Sequence, residues 1–185
     1  MKTAAMVVLA AGIVVILALV VRTVLSRKRH ERLEGKYGTE YERLVRAGSP
    51  SEAAKEINRR EKRHELLHIR SLMPEERKRF AADWQRTQSR FVDDPAGAVS
   101  EADRLVGALM TTRGYPVAEF DQRAADISVD HAPVVEHYRA AHDIALRHER
   151  REANTEDLRQ ALVHYRELFS ELLEERVPAN AGVTP

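Results

Sequence analysis

The segment His64-Glu65-Leu66-Leu67-His68 has the residue spacing of a zinc-peptidase motif. On a helix, two histidines four residues apart face the same way and can share one zinc ion. The glutamate between them can then act as the general base for a metal-bound water. His64, Glu65 and His68 are therefore the candidate residues for a metal site in this chain.

The sequence around this motif favours a different interpretation. Four charged residues, 60–63, precede it and Arg70 follows within a turn, so the segment is too polar to build a buried cleft. A catalytic zinc site also needs a third protein ligand, and none is singled out among Glu75, Glu76 and Asp94. We therefore predict no catalytic residue, no bound metal and no other cofactor, and we interpret the motif as part of a solvated helix.

The remaining residue types point to no other catalytic chemistry. His137, His142 and His148 share one predicted helix, but spacings of five and six residues do not align them as ligands. Asp94 precedes Pro95, which is typical of a helix cap. The chain contains no cysteine, and this excludes disulfides, thiolate zinc sites and cysteine nucleophiles.

An unbroken apolar run occupies residues 4–21, with the sequence AAMVVLAAGIVVILALVV. At about 1.5 Å per residue, a helix of this length spans about 27 Å, close to the hydrocarbon core of a bilayer at about 30 Å. A cleaved signal peptide would have a shorter apolar region of about 7–15 residues and a small-residue cleavage site. The run therefore predicts one uncleaved transmembrane helix within residues 1–29.

The charges on either side of this run predict its orientation and its partners. Residues 1–29 hold five basic residues and no acid, and four of the five follow the run: Arg22, Arg27, Lys28 and Arg29. An excess of positive charge behind the helix predicts a cytoplasmic C-terminal domain, and the basic cluster can contact anionic lipid headgroups. The rest of the chain has 30 − 5 = 25 basic and 29 acidic residues, so we expect no nucleic-acid partner.

Residues 30–71 are predicted to form charged juxtamembrane helices. Ser49, Pro50 and Glu52 have the spacing of a capping box at the start of one of them. Eight consecutive polar residues, 58–65, indicate that little of this segment is buried. We therefore predict a solvated stalk between the membrane and the domain that follows.

Residues 72–176 are predicted to form a helical bundle, and residues 177–185 a disordered tail. Pro74, Asp94-Pro95 and Asp130 mark helix starts, with Asp130 as the predicted cap of its helix, and Gly114 marks a helix end. Trp84 shares one stripe with two phenylalanines, Phe80 and Phe91, and is expected in the core. The prediction is an all-α chain with four longer helices and one short helix after the stalk, since no segment alternates like a strand.

Three segments of the bundle resemble a known family: residues 91–95 (FVDDP), 101–106 (EADRLV) and 113–116 (RGYP). They are similar to an uncharacterised family of bacterial membrane-anchored or exported all-helical proteins with no assigned activity. The resemblance covers roughly residues 72–173. It implies a bacterial source, a helical fold and a membrane setting, and it implies no mechanism.

These observations lead to two functional hypotheses of different kinds. The first is a membrane-tethered interaction or scaffold module in the bacterial cytoplasmic membrane, with a protein partner or a second copy of the chain and with no small-molecule substrate evident. The second is a membrane-associated zinc peptidase that uses His64, Glu65 and His68. A cleaved or inverted anchor would place the same domain outside the cytoplasm. The residues favour the module, which is not an enzyme.

Overall fold

The computed structural model describes the backbone of residues 2–174 and the side chains of residues 16, 17 and 20–174. Within this range the chain is helical and contains no strand, which confirms the prediction of an all-α fold. Seven helices follow one another: α1 (Lys2–Ala47), α2 (Pro50–His64), α3 (Pro74–Arg90), α4 (Pro95–Arg113), α5 (Phe120–Ile127), α6 (Ala132–Glu149) and α7 (Thr155–Glu174). The four longer helices and the short helix predicted after the stalk correspond to α3, α4, α6, α7 and α5.

Side-chain caps begin α2, α4 and α7. Asp94 accepts a hydrogen bond from the Gly97 N–H at 2.9 Å, as predicted for the start of α4. Gly114 ends α4 with a φ of 101°, and a Cβ there would lie 2.3 Å from the carbonyl oxygen of His68, so only glycine fits without distortion. The prediction that Asp130 caps the next helix is wrong, because residue 131 holds the cap position and the Asp130 side chain is bound elsewhere.

The main core lies among α3, α4, α6 and α7. Helices α6 and α7 pack along each other, α4 packs on α7, and α3 packs on α4. Trp84 is 6% exposed and stacks on Phe169 of α7 with ring centroids 4.6 Å apart. Phe80 is buried beside it, whereas Phe91 is partly buried. The prediction that Trp84 belongs to the core is confirmed.

Helix α1 reverses its direction at Gly38. This residue has φ 49° and ψ −126°, which lie outside the helical region. The Tyr41 hydroxyl lies 2.7 Å from His30 Nδ1, whereas eleven residues of straight helix would separate the two positions by about 16 Å. Residues 39–47 therefore run back along the turns between His30 and Tyr37, and α2 then runs alongside residues 22–37.

The segment predicted to be a solvated stalk packs against the bundle instead. Tyr37, Tyr41 and Ile57 are buried in a second apolar cluster that includes Ala132 of α6. Arg60 lies in the polar stretch 58–65 and is only 4% exposed. The expectation of a solvated stalk is therefore wrong. Tyr37, Tyr41 and Ile57 pack against α6 of the bundle, and the carboxylates of Glu40 and Glu56 neutralise the charge of Arg60.

The predicted membrane anchor lies mostly outside the described side chains. In the part of the chain that the structure describes, no helix has an apolar stretch long enough to cross a membrane. The predicted span of residues 4–21 falls largely on residues 4–15, 18 and 19, whose side chains are not described. The predicted tail, residues 177–185, also lies outside the described residues.

We expect residues 72–176 to fold without the segment that precedes them. Every buried member of the main core lies between Leu72 and Leu172, whereas the second cluster takes only Ala132 from this range. Circular dichroism of this fragment should show a helical spectrum and a cooperative melting transition. The transition should fall below that of the matched fragment 30–176, because α5 and α6 lose their contacts with α2 and α1. A fragment without a cooperative transition would make residues 30–71 part of the folding unit.

Candidate functional site

The zinc-peptidase motif does not lie on a helix. Helix α2 ends at His64, Glu65 is its C-cap, and the chain then turns into an irregular loop. His64 is partly buried, whereas Glu65 and His68 are exposed. The shared helical face that would aim His64 and His68 at one metal ion is therefore not formed. Among the described residues, no group of three or more metal-binding side chains comes together.

His64 contacts an acid from a distant part of the chain. Its Nε2 lies 2.6 Å from Asp130 Oδ2, and the Tyr115 hydroxyl donates a hydrogen bond to the same oxygen at 3.3 Å. Burial raises the pKa of Asp130, but the hydrogen bond and the charge of His64 outweigh it and lower that pKa. The contact joins the end of α2 to the connection between α5 and α6. Its role is to hold these two segments in position.

We expect the purified full-length chain to contain no stoichiometric zinc. His64 Nε2 is occupied by Asp130, and a second ligand from His68 would require α2 to extend by a further turn. Metal analysis of the chain after dialysis against zinc should therefore give well under one equivalent. Glu65→Gln should leave both the metal content and the cellular phenotype unchanged. One equivalent of zinc that is lost on His64→Ala or His68→Ala would favour the peptidase hypothesis.

A pair of histidines outside the motif lies close together between α6 and α7. The Nδ1 atoms of His137 and His164 lie 2.9 Å apart. Burial and the charge of His137 lower the pKa of His164. Spacing along α6 did not predict this pair, because the partner lies on another helix. Two imidazoles without a third ligand do not make a zinc site.

The carboxylate of Glu40 is buried and only 2% exposed. Arg60 Nη1 lies 2.7 Å and Arg43 Nη2 2.8 Å from its Oε1, and Arg139 donates to both carboxylate oxygens. Burial raises the pKa of Glu40, but the hydrogen bonds from Arg43 and Arg60 and the charge of Arg139 outweigh it and lower the pKa to about 2. We call Glu40, Arg43, Arg60 and Arg139 the Glu40 cluster.

The Glu40 cluster has the properties of a structural joint. It connects α1, α2 and α6, and Arg60 Nη1 also donates to Ser128 Oγ at 3.0 Å. A carboxyl group with a pKa of about 2 stays ionised near neutral pH, so Glu40 is not suited to general acid–base catalysis. One feature of the sequence pointed to this site: Glu40 lies between two tyrosines, Tyr37 and Tyr41, at the spacing of helical turns.

A cleft with a different charge pattern lies between α1 and α2. Its volume is about 260 Å³, and the cationic side chains of Arg22, Arg29 and Lys55 line it together with the His30 ring. No carboxylate lies among the lining residues. The charges of α1 predicted a basic surface here, but a cleft forms only because Gly38 brings α2 back alongside residues 22–29. We call this site the basic cleft.

We compared the chain with protein-family models, with curated proteins and with solved structures, and none of them matches it. The resemblance suggested by residues 91–95, 101–106 and 113–116 stays a prediction. The contacts, the charges and the exposed surfaces of the chain itself are therefore the basis for its proposed function.

Proposed function

We propose that this chain is a membrane-tethered helical module that binds a protein partner or a second copy of itself. The carrying observation is an exposed apolar surface on α1. Six large apolar side chains within residues 16–25 are between 46% and 63% exposed: Ile16, Leu17, Val20, Val21, Val24 and Leu25. Exposed apolar side chains at this density mark a surface that a membrane or a protein covers.

The charges behind this surface support a membrane as its cover. Arg22, Arg27, Lys28 and Arg29 follow or interrupt the apolar side chains of α1, and the first 29 residues hold no acid. Lysine and arginine are typical of the cytoplasmic end of a membrane helix. We propose a single-pass protein of the bacterial cytoplasmic membrane whose α2–α7 region lies in the cytoplasm.

The loop after α2 and the end of α4 offer a surface for a protein partner. The Arg70 N–H donates to the Arg113 carbonyl at 2.8 Å, so the loop after α2 crosses the end of α4. Three large apolar side chains in or next to these crossing segments are more than half exposed: Leu66 at 77%, Met73 at 58% and Val117 at 86%. These three side chains are the candidate contact surface for a protein partner.

The arrangement of charged side chains supports a binding role over hydrolysis. Catalysis needs a nucleophile or a metal, a base and a group that stabilises developing charge, all converging on one pocket. In the described part of the chain, the acids of the Glu40 cluster and of the His64–Asp130 contact are held by bases in ion pairs. This pattern stabilises helix packing, and it leaves the zinc-peptidase alternative without a supporting contact.

Membrane insertion and orientation can be tested together in cells. The full chain with a C-terminal reporter that is active only outside the cytoplasm should be silent and should stay in the membrane after alkaline carbonate extraction. Leu17→Asp should release a measurable fraction, because an acid inside a membrane helix costs about 2.5–3.5 kcal/mol. The matched control is Leu66→Asp, which replaces another exposed leucine outside the proposed span. An active reporter, or a mature N-terminus near Arg27, would contradict the proposed orientation.

The partner surface can be tested by photo-crosslinking. A photoreactive residue at Val117 or Leu66 should give a discrete adduct in intact membranes. The same residue at Gln160, which is exposed on α7, is the control and should give none. Adducts of equal strength at all three positions, or at none, would contradict a contact surface at this end of the bundle.

A further inference from the structure

The basic cleft holds cations that no acid of the described chain neutralises. Arg22, Arg29 and Lys55 line it, and none of them has a carboxylate within 4 Å among residues 16–174. In the Glu40 cluster, by contrast, every arginine contacts a carboxylate. Like charges held together without a counterion repel one another. A bound anion would relieve this repulsion.

The acids on the neighbouring turns are engaged by other groups. Glu52 accepts a hydrogen bond from Ser49 Oγ at 2.9 Å, where it forms part of the cap of α2. Glu34 lies 3.7 Å from His30 Nε2, on the other side of that ring from the bond to Tyr41. Neither acid lines the cleft, so neither takes the place of a bound anion.

Hydrogen-bond donors complete the lining. The hydroxyls of Ser26 and Ser51 lie in it, beside Pro50 at the first turn of α2. The helix dipole of α2 adds a partial positive charge at this end. The backbone adds few donors, because Pro50 has no N–H and the N–H groups of Glu52 and Ala53 donate to Ser49. Several donors combined with three cations suit a ligand with several acceptor oxygens, and a phosphate group is such a ligand.

The cleft lies at the depth of lipid headgroups if residues 4–21 span the membrane. Arg22 follows the predicted span directly, and Ser26 lies four residues further, which is about 6 Å along a helix. A bilayer of about 40–45 Å with a hydrocarbon core of about 30 Å leaves an interfacial layer of about 5–8 Å on each side. Arg22 and Ser26 would stand within this layer, and Arg29, about 10.5 Å beyond Arg22 along the helix, would lie just outside it.

We propose that the basic cleft is a binding site for the phosphate group of an anionic phospholipid. This inference rests on the proposed membrane tether and adds a defined site to it. Arg22, Arg29 and Lys55 neutralise the phosphate, and the Ser26 and Ser51 hydroxyls donate hydrogen bonds to it. Because Lys55 belongs to α2, the bound lipid also holds α2 against the membrane-proximal part of α1 and so fixes the orientation of the bundle relative to the bilayer.

A charge-matched pair of double variants separates a defined site from general attraction to a basic segment. R29Q/K55Q removes two cations that line the cleft, whereas R27Q/K62Q removes two exposed cations of the same two helices that do not line it. Each variant of the full chain is purified in a nonionic detergent. Dihexanoyl phosphatidylglycerol, dihexanoyl phosphatidylcholine and inorganic phosphate are then titrated separately by calorimetry. Circular dichroism melts confirm that each variant is folded.

We expect saturable binding of the phosphatidylglycerol and none of the phosphatidylcholine. R29Q/K55Q should weaken it by at least about tenfold, since two contacts with the anionic headgroup are lost, and R27Q/K62Q should change it by no more than about twofold. The charge-conserving variant R29K/K55R should retain binding. Equal weakening by both glutamine pairs, or by neither, would overturn the proposal.

The two remaining outcomes concern the source of the phosphate and the tether itself. Inorganic phosphate that binds as tightly as the lipid would replace the lipid with a free anion and overturn the proposal. Flotation of the full chain with vesicles of pure phosphatidylcholine tests the tether separately, because those vesicles carry no net charge. A chain that fails to float but still binds phosphatidylglycerol in detergent would refute the tether and retain the headgroup site.

Discussion

Glu40→Ala should lower the free energy of unfolding of the full chain by about 3–5 kcal/mol, as expected when one partner of a buried ion pair is removed. Arg60 is 4% exposed and Arg139 is mostly buried, and both lose their contact with Glu40. Among the described residues, the carboxylate that Arg60 then keeps is Glu56, and the one that Arg139 keeps is the exposed Asp121. The remaining guanidinium groups would then repel one another inside the joint between α1, α2 and α6. Urea unfolding followed by circular dichroism at neutral pH measures this change.

Glu42→Ala is the matched control for this prediction. Glu42 lies two residues away on the same helix, its side chain is 52% exposed, and it contacts Arg46 at 3.7 Å. An exposed ion pair of this kind contributes at most about 1 kcal/mol. An effect of Glu40→Ala no larger than that of Glu42→Ala would show that the Glu40 cluster does not hold residues 30–71 against the bundle.

The pKa of Glu40 adds a pH dependence with a defined sign. Folding lowers this pKa from 4.5 to about 2, so the folded state binds a proton less readily than the unfolded state. The stabilisation from the carboxylate is therefore complete above pH 4.5 and is lost as the pH falls towards 2. Glu40→Gln should remove this part of the acid sensitivity, so its free energy of unfolding should fall less steeply than that of the unaltered chain between pH 4.5 and 2.

Trp84→Ala should lower the free energy of unfolding by about 3–5 kcal/mol, the usual cost of replacing a buried large aromatic by alanine. The indole is 6% exposed and stacks on Phe169, so its loss leaves a cavity between α3 and α7. Stacked aromatic pairs contribute about 0.5–1.5 kcal/mol beyond their buried area. Circular dichroism is the appropriate measurement, because Trp84 is the only tryptophan and its fluorescence disappears with it.

Gln85→Ala serves as the control for Trp84, since it changes the next residue of α3, which is exposed. We expect Gln85→Ala to shift the free energy of unfolding by no more than about 0.5 kcal/mol. Trp84→Phe should lie between the two variants, because a smaller aromatic ring preserves part of the contact with Phe169. An unchanged melting temperature for Trp84→Ala would mean that α3 does not pack on α7 as described.

Local sequence signals determined the helices and much of the main core. Asp94 before Pro95, and Gly114 with its positive φ, mark helix ends through interactions within a few residues. Trp84 and Phe80 were assigned to the core because a stripe with helical periodicity has to face other apolar surfaces. Signals of this kind depend on neighbours in the sequence, so they can be interpreted without knowing the tertiary structure.

Only the tertiary structure determined that Arg60, within the polar segment 58–65, is buried. Arg60 lies in a run of polar residues that indicated solvent exposure, yet it is buried because Glu40, twenty residues earlier, and Ser128, sixty-eight residues later, meet it there. The same holds for His64, whose partner Asp130 was expected to cap a helix. Burial of a charge depends on a partner that can come from anywhere in the chain.

The sequence by itself determined that this chain is all-helical, where the helices of the bundle begin and end, and that positive charge follows the apolar N-terminal run. Only the tertiary structure decided that α1 reverses at Gly38, which turns the basic run into one wall of a cleft and places Lys55 on the other wall. The physical reason is the distance along the chain over which each interaction acts. Helix propensity, capping and periodicity act within about one or two turns, whereas ion pairs and clefts join residues that folding brings together from distant positions.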